Sequence, residues 1–175
     1  MSLYIVRGLP GAGKSTFARE LAMKWGFIHI EPDMFCYRHG AYVYTETRYM
    51  QAKALAMRLL YQIGNNVLRP DVVFADVCPT ISDINAVESA YCEKATKIYT
   101  LEIDLETARR RNAHGVAEND LQQMASSFQD IPYKTAVKVY TLEIGLETAR
   151  CPNTHGVQES DLQAMDELIY EPIDE

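Results

Sequence analysis

The stretch Leu3-Tyr4-Ile5-Val6-Arg7-Gly8-Leu9-Pro10-Gly11-Ala12-Gly13-Lys14-Ser15-Thr16 decides the fold. From Gly8 to Ser15 it has the spacing G-x-x-x-x-G-K-[ST] of a phosphate-binding loop. Its glycines let the chain curl until several backbone N–H groups face one anion. Lys14 can set its ammonium against the β- and γ-phosphates of a nucleoside triphosphate, and Ser15 can offer a hydroxyl to Mg²⁺. The flanks agree with this. Leu3 to Val6 is a short apolar run that reads as a buried strand. Ser15 to Trp25 reads as a helix with Phe17, Ala18, Leu21, Ala22 and Trp25 on one face and Gly26 as its stop. The loop thus ends on a helix N-terminus, whose dipole favours anions. The expected nucleotide-binding set is Gly8, Gly11, Ala12, Gly13, Lys14, Ser15 and Thr16, with ATP the nucleotide. Thr16 also fits as an ordinary helix-start hydroxyl.

Beyond the loop, 175 residues suffice for one domain with a sizeable core. A hydrophobic fraction of 47% and a charged fraction of 23% are those of a soluble globule. No apolar run approaches a membrane span and no secretory signal is evident, so a cytoplasmic protein without membrane attachment is expected. A net charge of −7 argues against nonspecific coating of nucleic acid, though not against a local basic site. Cys36, Cys78, Cys92 and Cys151 form no C-x-x-C pair, and reduced thiols are the expectation.

Strands and helices alternate along the chain. Phe27 to Ile30 reads as a second strand, Glu46 to Ile63 as a long helix, and Val72 to Val77 as a third, very apolar strand. Thr80-Ile81-Ser82-Asp83 matches a capping box opening a helix to about Lys94, and Lys97 to Ile103 reads as a fourth strand. Repeated strand–helix units imply a parallel sheet covered on both faces. The expected fold is a three-layer α/β P-loop kinase fold with a largely parallel sheet of order 2-3-1-4. Ligands of such sheets lie at the carboxyl ends of the strands, where Gly8, Asp33, Asp76 and Asp104 fall.

An internal repeat is the second conspicuous feature. KIYTLEIDLETARRRNAHGVAENDLQQM at 97–124 recurs as KVYTLEIGLETARCPNTHGVQESDLQAM at 138–165. One duplication is not a solenoid, which needs several units to bury a continuous core. The division expected is a kinase domain over 1–133, with a lid at about 109–118, and a tandem duplicate over 134–175. In the second copy Arg110-Arg111 is replaced by Cys151-Pro152. That loses two guanidinium groups and places a helix breaker. The bland role for this copy is a further strand, Ala136 to Ile144, and a packing helix. The near-identical strands KIYTLEI and KVYTLEI can also compete for one slot or exchange between chains in a domain-swapped dimer.

Phosphoryl transfer needs held phosphates, Mg²⁺, charge stabilisation and a base for the acceptor hydroxyl. Asp76, at the end of the third strand, can orient Mg²⁺ with Ser15, or be a solvated carboxylate. Asp33, at the end of the second strand, can accept the acceptor's proton, or cap a helix at Met34-Phe35. Arg109, Arg110 and Arg111 are expected to open a helix and run into Asn112-Ala113-His114-Gly115-Val116. There they can close on ATP, with at least one of them structural. The segment after Asp33 holds Tyr37, Arg38, His39, Tyr42, Tyr44 and Arg48. Its tyrosines are read mostly as packing under the long helix, and Arg38 as the acceptor-binding residue.

GLPGAGKST, then EPD, HGAYVY, FADVCPT and RRRNAHGVAENDLQQM together resemble the P-loop polynucleotide 5′-kinases, over about residues 3–130. The resemblance implies ATP-dependent phosphorylation of a 5′-hydroxyl of DNA or RNA. By it, Lys14 and Ser15 hold ATP and Mg²⁺, Asp33 is the general base and Arg111 is the lid arginine at the phosphates. Two other functions fit the same sequence. One is a P-loop kinase for a nucleotide or small metabolite, which the acidic charge suits. The other is an NTP-binding switch or interaction module without turnover.

Overall fold

Strand β1 (Leu3–Gly8) is buried along its whole length, and its alternation sends side chains to two different layers. Tyr4 and Val6 face α1 (Lys14–Trp25), where they meet Phe17, Ala18, Leu21 and Ala22. Leu3 and Ile5 face the opposite layer and meet Ala56 and Leu60 of α2 (Glu46–Gly64), and Ile84, Val87 and Tyr91 of α3 (Ile81–Tyr91). Two cores therefore share one sheet, as its continuous apolar strands require.

A computed structural model describes residues 2–38, 41–112, 115–132 and 136–140, with backbone only at Arg38, Ala41, Val139 and Tyr140. Among them the main sheet holds β2 (Ile28–Ile30), β5 (Val72–Asp76), β1, β6 (Lys97–Glu102) and β7 (Ala136–Tyr140), in that order and all parallel. The expected order and the added strand are what the sheet shows. Register places Arg7 opposite Asp76 and Gly8 opposite Leu101, so the loop leaves the sheet between the carboxyl ends of β5 and β6. No helix among the described residues is long and apolar enough to cross a membrane. Cys36, Cys78 and Cys92 are free thiols.

Local signals explain the boundaries. The capping box forms as expected. Thr80 Oγ1 accepts from the Asp83 N–H at 3.2 Å, and Asp83 Oδ2 accepts from the Thr80 N–H at 3.1 Å. Thr45 caps α2, and Asp104 caps α4 (Leu105–Arg110) by accepting from the Thr107 N–H at 2.8 Å.

Three expectations need correcting. β2 ends at Ile30, and Asp33 lies in a 3₁₀ turn over Pro32–Phe35 whose N-cap is Glu31, so Asp33 neither ends a strand nor caps a helix. Two short antiparallel strands, β3 (Tyr37–Arg38) and β4 (Ala41–Tyr42), follow in a segment to which the sequence assigns no element. The arginines close a helix instead of opening one. Arg109 and Arg110 form the last turn of α4, and Arg111 is its C-cap. The chain then crosses to α5 (Glu118–Ser127).

β7 contains the first three residues of the repeat, Lys138 to Tyr140, and Lys138 stands opposite Thr100. The copy thus lies beside its original, three residues out of register, and both strands occupy the sheet of one chain. The rest of the repeat, the expected strand residues 141–144 and His114 lie outside the described residues.

Candidate active site

A cavity of about 530 Å³ opens at the carboxyl ends of β1, β2 and β5. The phosphate loop forms its floor, with Gly11, Gly13, Lys14, Ser15 and Thr16 in the lining. Gly11 (φ 82°) and Gly13 (φ 86°) take the backbone conformation that only glycine adopts without strain. The Ala12 N–H closes a tight turn on the Leu9 carbonyl at 3.1 Å. Gly8 and Ala12 shape this loop from beneath and are not in the lining. At Gly11 a methyl group would lie 2.9 Å from Arg111 Cβ and 3.2 Å from two carbonyl oxygens of α4 and its cap. The C-terminal end of α4 therefore rests directly on the loop. Leu9 joins Ala108 and Leu121 in a small core under α4 and α5.

Lys14 donates to the Leu9 carbonyl at 3.0 Å. Burial pulls its ammonium below the usual lysine range, against the carboxylates of Asp76, Asp33 and Glu31. A half-buried cation set among acids beside a glycine loop is the donor set that a polyphosphate satisfies. Asp76 at the end of β5 is buried. Its Oδ2 lies 2.9 Å from Lys53 Nζ, and its Oδ1 accepts from the Val77 N–H at 2.7 Å and from the Tyr49 hydroxyl. No group of three acidic, histidine or cysteine side chains among the described residues could hold a metal alone. Mg²⁺ commonly uses one or two protein ligands and the phosphates themselves, so Ser15 and Asp76 fit it in that sense.

Across the cavity stand Asp33, Tyr42, Tyr44 and Tyr49. The Tyr42 hydroxyl donates to Asp33 Oδ1 at 2.9 Å. Burial and the Asp33 carboxylate raise the Tyr42 phenol well above its ordinary value, so it remains a donor. The tyrosines were expected to pack under α2. Tyr42 and Tyr44 line the cavity instead, where Tyr49 of α2 joins them, and Tyr37 is exposed. The Arg38 side chain lies outside the described residues.

Arg110 and Arg111 reach the same cavity from the lid, beside Asn112, Val116 and Met124. Arg109 turns away to pair with Glu118, at 2.6 Å from Nε to Oε1, and is the structural member of the three. Asn112 donates to the Val116 carbonyl at 2.7 Å and accepts from the Val116 N–H at 3.1 Å.

Glu31 is a site residue that the sequence reading missed. It lines the cavity, accepts from the Ser15 hydroxyl and faces His29 Nε2 at 3.5 Å. Burial pushes its carboxyl up, but the nearby His29 and Ser15 side chains and the Lys14 charge outweigh that and leave it below the usual glutamate value. Its adjacency to Pro32-Asp33 at a strand end was the available signal. Lys53 and Tyr49 were also missed, and no local pattern marks them.

A family model described as an AAA domain, AAA_33, matches residues 3–131. The uncharacterized protein PM0531 of Pasteurella multocida is 31% identical over 142 residues, spanning 75% of this chain and 78% of that protein. A gluconokinase from Sinorhizobium meliloti superposes with a TM-score of 0.58 at 17% identity, covering 96% of this chain and 93% of its own. A sugar kinase from a Janibacter species gives 0.56 at 13%, covering 97% and 92%. A chain of the Pnkp1/Rnl/Hen1 RNA repair complex gives 0.57 at 16%, covering 73% of this chain and 43% of its own. At these identities the solved structures share the fold and nothing finer. With a phosphate loop and an acid-lined cavity that two arginines enter, on a parallel sheet of order β2-β5-β1-β6-β7, the chain belongs to the AAA_33 family and has a P-loop kinase-like fold.

Proposed function

We propose that the chain is an ATP- and Mg²⁺-dependent phosphotransferase whose acceptor is the 5′-hydroxyl of a polynucleotide. The observation that carries this reading is the meeting of three groups in one cavity: Lys14 and Ser15 on the loop, Asp33 held by Tyr42, and Arg110 with Arg111 on the lid. In this reading the loop N–H groups and Lys14 hold the ATP phosphates, and Ser15 and Asp76 would hold Mg²⁺, which would neutralise phosphate charge. Asp33 takes the proton of the acceptor hydroxyl as its oxygen bonds to the γ-phosphorus and the bond to the β-phosphate oxygen breaks, releasing ADP. Arg111 stabilises charge on the transferring group, and Arg38 binds the acceptor. The tyrosine wall supports a nucleoside acceptor, since aromatic rings stack on bases. The likeness to a chain of an RNA repair complex points the same way. The domain division proposed is a kinase domain over 1–133 with the duplicate over 134–175 packed on it.

A metabolite kinase is the second reading. It is favoured by the net charge of −7 and by the two sugar-kinase structures that match nearly the whole chain. Labelled ATP offered with a 5′-hydroxyl DNA, a 5′-hydroxyl RNA and a pool of polyols and nucleosides separates the two. Label on an oligonucleotide end supports the first reading, and label only on a small molecule replaces it with the second.

A further inference from the structure

Asp76 is gripped from one helix face. Tyr49 and Lys53 stand one α-turn apart on α2, the spacing that puts two side chains on one stripe. Tyr49 takes Oδ1 and Lys53 takes Oδ2 at 2.9 Å. The Lys53 ammonium also lies 3.8 Å from Asp83 Oδ1, while Asp83 Oδ2 is committed to Thr80 in the α3 cap. Lys53 is thus seated between two carboxylates, one of them buried. Lys53 is not in the cavity lining, so it supports Asp76 from behind. A buried carboxylate needs a counter-charge, and beside a phosphate loop the competing counter-charge is a divalent cation.

We propose that Lys53 is an internal counter-cation that keeps Asp76 from taking a divalent ion before nucleotide arrives. The inference rests on the reading of Asp76 as the metal-facing carboxylate. Hard cations bind by the number and charge of oxygens offered. With Lys53 on Oδ2 and Tyr49 on Oδ1, Asp76 offers little to a bare ion. Once triphosphate oxygens stand beside it, the cation gains enough ligands to share the carboxylate. Lys53 and Tyr49 are positioning residues in this scheme, and α2, which begins just after Tyr42 and Tyr44, joins the metal side of the cavity to its tyrosine wall.

The test is Mn²⁺ binding to the nucleotide-free chain, followed by the paramagnetic signal of free Mn²⁺, in the wild type, Lys53→Met, Lys53→Arg and Lys53→Met/Asp76→Asn. The proposal expects weak binding by the wild type and at least tenfold tighter binding by Lys53→Met. Lys53→Arg, which keeps the charge, should match the wild type, and the double variant should lose the gain. Mn²⁺ should also raise the melting temperature of Lys53→Met more than that of the wild type. If Lys53→Met does not fold, Lys53→Gln carries the same expectation. Equal Mn²⁺ affinity in all four proteins, or tight binding by the nucleotide-free wild type, overturns the proposal. Neither readout uses phosphate transfer, so this result stands apart from success or failure of the kinase reading.

Discussion

Gly11→Ala asks whether the C-terminal end of α4 truly sits on the phosphate loop. Two costs combine at this position. The φ of 82° forces an L side chain into the left-handed region, worth about 1–2 kcal/mol. The added methyl group meets Arg111 Cβ at 2.9 Å and the Ala108 and Arg111 carbonyl oxygens at 3.2 Å, none of them the end of a flexible side chain. Overpacking of that kind costs about 1–3 kcal/mol. Gly26 supplies the control, because its φ of 71° carries the same strain and nothing lies within 4 Å of the new methyl. Subtracting Gly26→Ala from Gly11→Ala in urea unfolding isolates the contact, expected at about 1–3 kcal/mol. Both variants should fold, since a domain of this size commonly holds about 5–15 kcal/mol. Displacing Arg111 from the loop should also weaken ATP binding by calorimetry about tenfold in Gly11→Ala, and leave it unchanged in Gly26→Ala. Equal destabilisation of the two variants, with equal ATP affinity, refutes the packing of lid on loop.

Other expectations follow from the same contacts. Arg7 is buried and donates to Thr100 Oγ1, the Cys78 carbonyl and the Gln129 carbonyl at 2.9, 3.1 and 2.6 Å, with Phe128 4.6 Å from its guanidinium. Arg7→Met strands these acceptors and should cost about 3–5 kcal/mol by denaturant titration, and a loss under about 1 kcal/mol would contradict this. Glu31 has a lowered carboxyl pKa in the fold, so its contribution is present above the ordinary glutamate range and disappears as pH falls through the folded value. The stability gap between the wild type and Glu31→Gln should accordingly be full at pH 7 and shrink below about pH 4, and a gap independent of pH would refute it. Truncation before Lys134 removes β7 and bares the edge of β6. Melting temperature should fall while ATP affinity holds, because the nucleotide-facing residues precede it, and a folded truncate without ATP binding would contradict the division of the chain.

What the sequence made legible was what is local or strongly periodic. The apolar strand into G-x-x-x-x-G-K-[ST] marks β1, the loop and α1 together, and the buried run 72–76 and the Thr80–Asp83 box mark the next unit just as directly. Parallel order follows from the crossovers. The short strands at 37–42 escaped because two-residue strands have no period. The 3₁₀ turn escaped because an Asp after a Pro reads equally as a cap or a strand end. The orientation of the arginines was misread because Asp104, capping α4 five residues before Arg109, is one acid among several. The contacts of Asp76 with Tyr49 and Lys53 join different elements across the fold, and only the packing of α2 on β5 and α3 brings them together.

The proposed transfer depends most on Asp33. The most direct measurement is steady-state transfer of labelled γ-phosphate to a 5′-hydroxyl oligonucleotide by the wild type and Asp33→Asn, with ATP affinity measured alongside. The wild type should transfer label, and Asp33→Asn should lose about 10²–10⁴ in kcat with unchanged ATP binding. Transfer by Asp33→Asn at the wild-type rate, or no transfer to any 5′-hydroxyl end by a wild type that binds ATP, would contradict it.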